Sequence, residues 1–237
     1  MEIDDKKIVS LKNMVKAAQE EFDMAVSFHE IWKPAAYDQD LHNRLGNSYA
    51  TQAFLVMRSA LKREVVLALM RLWDTTGKSV RMELIWHTLR EKGVIDALAR
   101  DRASHMGLTD VLEFVREDLA GKANKILELI GKYRIDGPSH TVLSNLRTLR
   151  NERLAHRQTN PSLASATGAT TTDTEIEEFY QDNSKIIQLL LSLASAMAYN
   201  PQDTAGVFGF YAKSFWERIQ PDQRRGTLQT HQSDEAD

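Results

Sequence analysis

The stretch IVSLKNMVKAAQEEFDMAVSFHEIW, residues 8–32, decides the fold class. Its apolar positions are Ile8, Leu11, Val15, Ala18, Phe22, Ala25, Val26, Ile31 and Trp32. They recur at intervals of three and four, the spacing that lines one face of a helix and not of a strand. A helix with such a stripe has to bury it against other elements. The reading ends this helix before Pro34, because proline removes an amide donor and its ring crowds the preceding turn.

Outward from that stretch the same period continues. A second helix is expected from near Ser48, with Phe54, Met57, Leu61, Val65, Leu69 and Leu72 on one face, ending at Thr75-Thr76-Gly77. At a rise of about 1.5 Å per residue, about 27 residues would reach roughly 40 Å, a length suited to a bundle. Ser79 can cap a third helix through Leu89, with Gly93 just beyond its end. A shorter helix follows from Val94 to about Ser104, and Thr109 can cap a long one running past Ile130, weakened at Gly121. Asp136-Gly137-Pro138-Ser139 reads as a turn and N-cap before a helix holding Val142, Leu146, Leu149 and Leu154. The uncharged run Thr159 to Thr172 reads as a flexible loop. Thr174 and Glu177 have the spacing of a capping box, opening an apolar helix that continues through Met197 and stops before Pro201. A last helix is expected over Ala205 to Ile219, carrying Phe208, Phe210, Tyr211, Phe215 and Trp216, which the reading packs onto the bundle. No period-two run and no internal repeat is present. The expectation is an all-α antiparallel helical bundle, one domain over residues 1–220, with a polar, disordered tail over 221–237.

Composition narrows the chemistry. The 237 residues hold no cysteine, which removes disulfides, a thiolate nucleophile and Cys-ligated metal centres. Thirty Lys and Arg stand against 33 Asp and Glu, a net charge of -3, so any polyanion site has to be a local patch. No run of 18 apolar residues and no secretory leader is visible, and the reading is a soluble cytoplasmic protein with no membrane partner. No phosphate-loop, dinucleotide or zinc-protease motif is found. The residues three before His87, His105, His140 and His156 are Leu84, Arg102, Gly137 and Arg153, so no Glu-x-x-His pair is available for a di-metal bundle site. The adjacent His29 and Glu30 read as a surface pair. No metal or other cofactor is expected.

The densest positive charge lies at Arg147, Arg150, Arg153 and Arg157, four guanidiniums in eleven residues with only Glu152 opposing them and His156 among them. One reading is a solvated basic helix face. The other is a phosphate site, since the guanidinium fork matches phosphate oxygens and imidazole titrates near neutrality. An Arg and a His suffice to cleave RNA without a metal, because the 2′-hydroxyl supplies the nucleophile; DNA would be inert. Arg–His spacings of five or six recur at Arg81–His87, Arg100–His105, Arg134–His140 and Arg225–His231, and most are chance. Arg81–His87 reads as structural and Arg134–His140 crosses a turn.

The segment Leu149-Arg150-Asn151-Glu152-Arg153-Leu154-Ala155-His156-Arg157 resembles the signature of the HEPN superfamily: Arg, then Asn or Asp, three variable residues, Ala and His. The wider chain, over roughly residues 5 to 200, is similar to the AbiU-type branch associated with abortive phage infection, whose long early helix ends as Arg71-Leu72-Trp73-Asp74 does. The resemblance implies a metal-independent endoribonuclease, a toxin or antiviral defence effector, in which Arg150 binds the scissile phosphate, His156 transfers protons and Asn151 orients one of them. Local charge extends the phosphate site to Arg147, Arg153 and Arg157, while Arg71 and Asp74 are expected to form a buried supporting ion pair. In a straight helix six residues set Arg150 and His156 about 120° and roughly 9 Å apart. Either the helix bends near Leu154, or two subunits share a composite cleft, as the resemblance implies. RNA, a second copy of the chain and an antitoxin are the implied partners. A non-catalytic helical module that binds RNA or protein, and a small-ligand sensor with a deep apolar pocket, are the alternatives.

Overall fold

The computed structural model describes residues 5–46, 48–75, 80–106, 111–151 and 171–219. Among these the helices are α1 (Asp5–Tyr37), α2 (Gln39–Leu45), α3 (Ala50–Leu72), α4 (Met82–Arg90), α5 (Val94–Met106), α6 (Leu112–Tyr133), α7 (His140–Leu149), α8 (Asp173–Ser195) and α9 (Pro201–Trp216). The described residues contain no strand, only a single antiparallel bridge between Trp73 and Arg81. The fold is an all-α helical bundle.

The stripe read from residues 8–32 becomes the core. Leu11, Val15, Ala18, Phe22, Ala25 and Val26 are fully buried, and α1 packs against α3, α8 and α9. Each large apolar side chain so buried contributes about 1.5–3 kcal/mol, which outweighs weak local propensity. This explains why α1 runs through Pro34 to Tyr37 instead of stopping before it. The turn that proline weakens carries Ala35 into a second small core with Leu41, Leu45, Phe54, Ala212 and Trp216. Helix α2 was not anticipated, although its local signals are present: Asp38 caps it by accepting from the amides of Asp40 and Leu41, and Gly46 closes it.

Two further readings are corrected. The capping box lies two residues earlier than expected: Thr172 accepts from the Glu175 amide, and the Glu175 carboxylate accepts in return from the Thr172 amide. Glu177 is thereby free to reach across to His29. The aromatic segment of α9 packs only in part. Trp216 is buried and donates from Nε1 to the Ile31 carbonyl, whereas Phe210, Tyr211 and Phe215 are exposed. The expected caps Ser79 and Thr109, Leu154, the loop up to residue 170 and the tail over 221–237 lie outside the described residues.

Candidate functional site

Trp73, at the end of α3, organises one end of the bundle. Its indole Nε1 donates to Asn183 Oδ1 on α8 at 2.9 Å, and that buried amide donates onward to the Phe179 carbonyl. The Trp73 ring packs against Tyr133 and Phe179. Its backbone pairs with Arg81 ahead of α4, and its carbonyl accepts a long bond from Arg147 at 3.4 Å. The residue after it, Asp74, therefore faces α7.

Helix α7 is set by the turn before it. Asp136 takes a positive φ of 70°, and the Ser139 amide donates to the Lys132 carbonyl at 2.9 Å, closing α7 onto the end of α6. A Cβ on Gly137 would overlap the carbonyl oxygens of Gly131 and Lys132, so this close approach requires glycine. Seven residues separate His140 from Arg147, which puts both on one stripe of α7. At residues 150–151 the helix widens into a π turn, a distortion common at functional sites.

Arg150 stands on that turn. Its Nε donates to Asn151 Oδ1 at 2.9 Å, and its Nη1 lies 3.7 Å from Asp74 Oδ1. The ion pair is loose, and among the described residues the bond to Asn151 is the one side-chain hydrogen bond the guanidinium makes, out of five donors. Arg147 is held below its ordinary pKa by burial first and by the neighbouring Arg150 charge second. Two guanidiniums set against each other in this way favour an anion between them.

Arg71 and Asp74, expected as a buried pair, each meet another partner. Arg71 Nε donates to Glu21 Oε2 at 2.5 Å and is 41% exposed, whereas Asp74 meets Arg150. Arg153, His156 and Arg157 lie outside the described residues.

A cleft of about 350 Å³ adjoins this arrangement. Asp74, Arg81, Glu83, His87, Arg134, His140 and Arg147 line its polar part, and Leu84, Tyr133, Ile135 and Leu143 its apolar part. The spacings Arg81–His87 and Arg134–His140, read as chance or structural, thus meet in one place. No linear signal marks this, because the helix junctions α3–α4 and α6–α7 bring them together. Glu83 is held below the usual carboxylate range, first by its two-point contact with Arg134. Arg134 also stacks 3.5 Å from the Trp86 ring centre, and Arg90 covers Trp86 at 4.3 Å, so Trp86 is clamped between cations and not simply core. Burial, reinforced by a 2.6 Å bond to Asp182, pushes the Tyr133 hydroxyl well up, so it stays a neutral phenol.

His29 is also corrected: it is buried, with Nδ1 at 3.0 Å from Glu30 and Nε2 at 2.7 Å from Glu177, and it stacks on Tyr180 at 3.9 Å. Burial lowers its pKa, but the bonds to Glu177 and Glu30 outweigh that and raise it. Both ring nitrogens are occupied. Among the described residues no group of three His, Asp or Glu side chains could hold a metal ion. A second cleft, about 530 Å³, is lined by the charged Glu30, Lys33, Asp38, Arg44 and Lys213 together with the apolar faces of Pro34, Tyr37 and Trp216.

A family model described as AbiU2, of the HEPN type, matches residues 8–215. The chain belongs to the HEPN AbiU2 family. The match spans α1 to nearly the end of α9, so the whole described bundle is the family's fold. No curated protein and no solved structure matches this AbiU2 chain. No helix among its described residues is long and apolar enough to cross a membrane.

Proposed function

We propose that this AbiU2 protein is a metal-independent endoribonuclease, a toxin or phage-defence effector whose working unit is a homodimer with a composite Arg/His site. The observation that carries the reading is Arg150, seated on a π turn, fixed through Nε by Asn151 and opposed, among the described residues, by a carboxylate at 3.7 Å. An Arg left with donors to spare can take the phosphate oxygens of a strand and stabilise the extra charge of a pentacovalent phosphorane. The 2′-hydroxyl attacks in line, and the 5′-oxygen of the next nucleotide leaves. His156 is assigned the proton transfers, removing the hydroxyl proton or protonating the leaving oxygen. Asn151 is a positioning residue for the guanidinium. A two-fold axis would bring a second Arg150 and His156 to the same groove, giving the net-negative chain a concentrated positive site.

RNA cleavage in EDTA tests this. Wild type is expected to yield products ending in a 2′,3′-cyclic phosphate, with Arg150→Ala and His156→Ala losing the activity while remaining dimeric by light scattering. RNA retained equally by all three proteins with no product would instead identify a non-catalytic binding module. Cleavage unchanged in both variants would remove these residues from the site.

A further inference from the structure

We propose that the cleft beside Arg150 is a subsite for one unpaired nucleotide of the RNA, flanking the cleaved bond, with Arg81 and Arg147 holding its phosphate and Arg134 presenting a flat face to its base. This deepens the cleavage reading and rests on it, by naming the substrate as single-stranded.

The cleft's charge is unevenly used. Its two carboxylates are engaged, Glu83 by Arg134 and Asp74 by Arg150. Among the described residues Arg81 and Arg147 have no carboxylate partner within 4.0 Å, the buried Arg81 Nε makes no hydrogen bond, and Arg147 reaches the distant Trp73 carbonyl. Guanidiniums that line a cleft with no carboxylate opposite them are completed by an anion that enters it. At about 350 Å³ the cleft has the size of a small-ligand site, too large for a lone phosphate and too confined for a duplex.

The apolar wall and the clamped guanidinium indicate what accompanies the phosphate. Arg134 is held flat by Glu83 on one edge and by Trp86 on one face. Such a plane is a stacking surface for an unstacked base, as used in single-strand RNA recognition. Continuity with the cleavage position follows from the helix. Arg147 precedes Arg150 by three residues, about 4.5 Å along the axis, so their side chains can reach successive phosphates of one strand. Asp74 borders both positions, lining the cleft and facing Arg150.

The test uses the full chain, with Arg81→Gln, Arg147→Gln and Arg81→Lys checked for folding by thermal melting. Two readouts are taken: cleavage kinetics on a short single-stranded RNA and its duplex, and binding of the same strand made non-cleavable by 2′-O-methyl groups. The proposal expects each Gln variant to raise KM and weaken binding by about tenfold with kcat little changed, the loss of one charge-assisted contact. Arg81→Lys is expected to recover part of the loss, and the duplex to bind more weakly than the strand. If wild type cleaves and both Gln variants keep its KM, the subsite is wrong and the cleavage reading stands. If wild type does not cleave, the cleavage reading fails, and binding alone decides: affinity lost in the Gln variants upholds the subsite, affinity unchanged overturns it. Equal affinity for strand and duplex would overturn the single-strand assignment.

Discussion

Two clusters of charged and aromatic side chains sit at different places in the same bundle, and they differ in how far their bonding capacity is used. Around His29, both imidazole nitrogens meet carboxylates, the ring is stacked on Tyr180, and Gln181 donates to Glu177. Around Arg150, among the described residues, the nearest carboxylate stands at 3.7 Å, Arg147 makes a bond of 3.4 Å, and Arg81 Nε makes none. A cluster that satisfies itself holds a fold together; a cluster with donors left over can also engage an anion. Residue type alone would not separate the two, since both combine a cationic group with carboxylates and an aromatic ring.

The comparison can be broken by substitution, and the largest effect is expected at the unsatisfied cluster. Arg150→Ala should lower the rate of RNA cleavage by about 10²–10³, the scale of losing one donor to transition-state charge, and leave the denaturation midpoint nearly unchanged. A midpoint that falls steeply would place Arg150 with the structural cluster. His29→Ala should do the reverse. It leaves Glu30 and Glu177 facing an emptied, mostly dry position and should cost about 2–3 kcal/mol in urea unfolding, with cleavage by the folded fraction retained.

Between the two lies Trp73→Phe, which removes the indole donor from the buried Asn183 and should cost about 1–3 kcal/mol, because an unsatisfied amide carbonyl stays in the core. Trp73 meets Arg81 and Arg147 through its backbone, which the substitution keeps, so stability should fall while cleavage by the folded fraction is retained. The smallest and most specific effect is in pH dependence. His29 is raised above its ordinary 6.5, so its contribution is fully present below that value and is lost as pH rises through the raised one. Glu177 is lowered, mainly by its bond to His29, so its contribution is present above the ordinary carboxylate value and lost only as pH falls through the lowered one. The melting temperature should therefore decline as pH rises above 6.5 in wild type and decline less in His29→Gln. Parallel curves for the two proteins would show that His29 does not carry the dependence.

Much of the fold was legible because burial follows period. The stripe from Leu11 to Val26 lies in the core as its spacing requires, and the turn at Asp136-Gly137 sits where its residues demand. The misreadings have one cause. Pro34, the box at Thr172 and the helix over Gln39–Leu45 were settled by packing and by which cap closed first, so a local rule applied alone fell a few residues short. For the site, Arg150 and Asn151 were visible as a local motif, and their mutual bond needs only adjacency. The partners of Arg71, Asp74 and His29 were not visible, because each lies far along the chain or on another helix.

The amino-acid order by itself determined the helical class, the main core stripe and the presence of an Arg-rich segment resembling HEPN, since periodicity and short motifs are properties of neighbouring residues. Only the tertiary structure decided which charges are spent and which remain. Junctions between helices bring Arg81, Arg134, His140 and Arg147 to one cleft and send Arg71 to Glu21, and such pairings depend on packing between segments that share no local pattern.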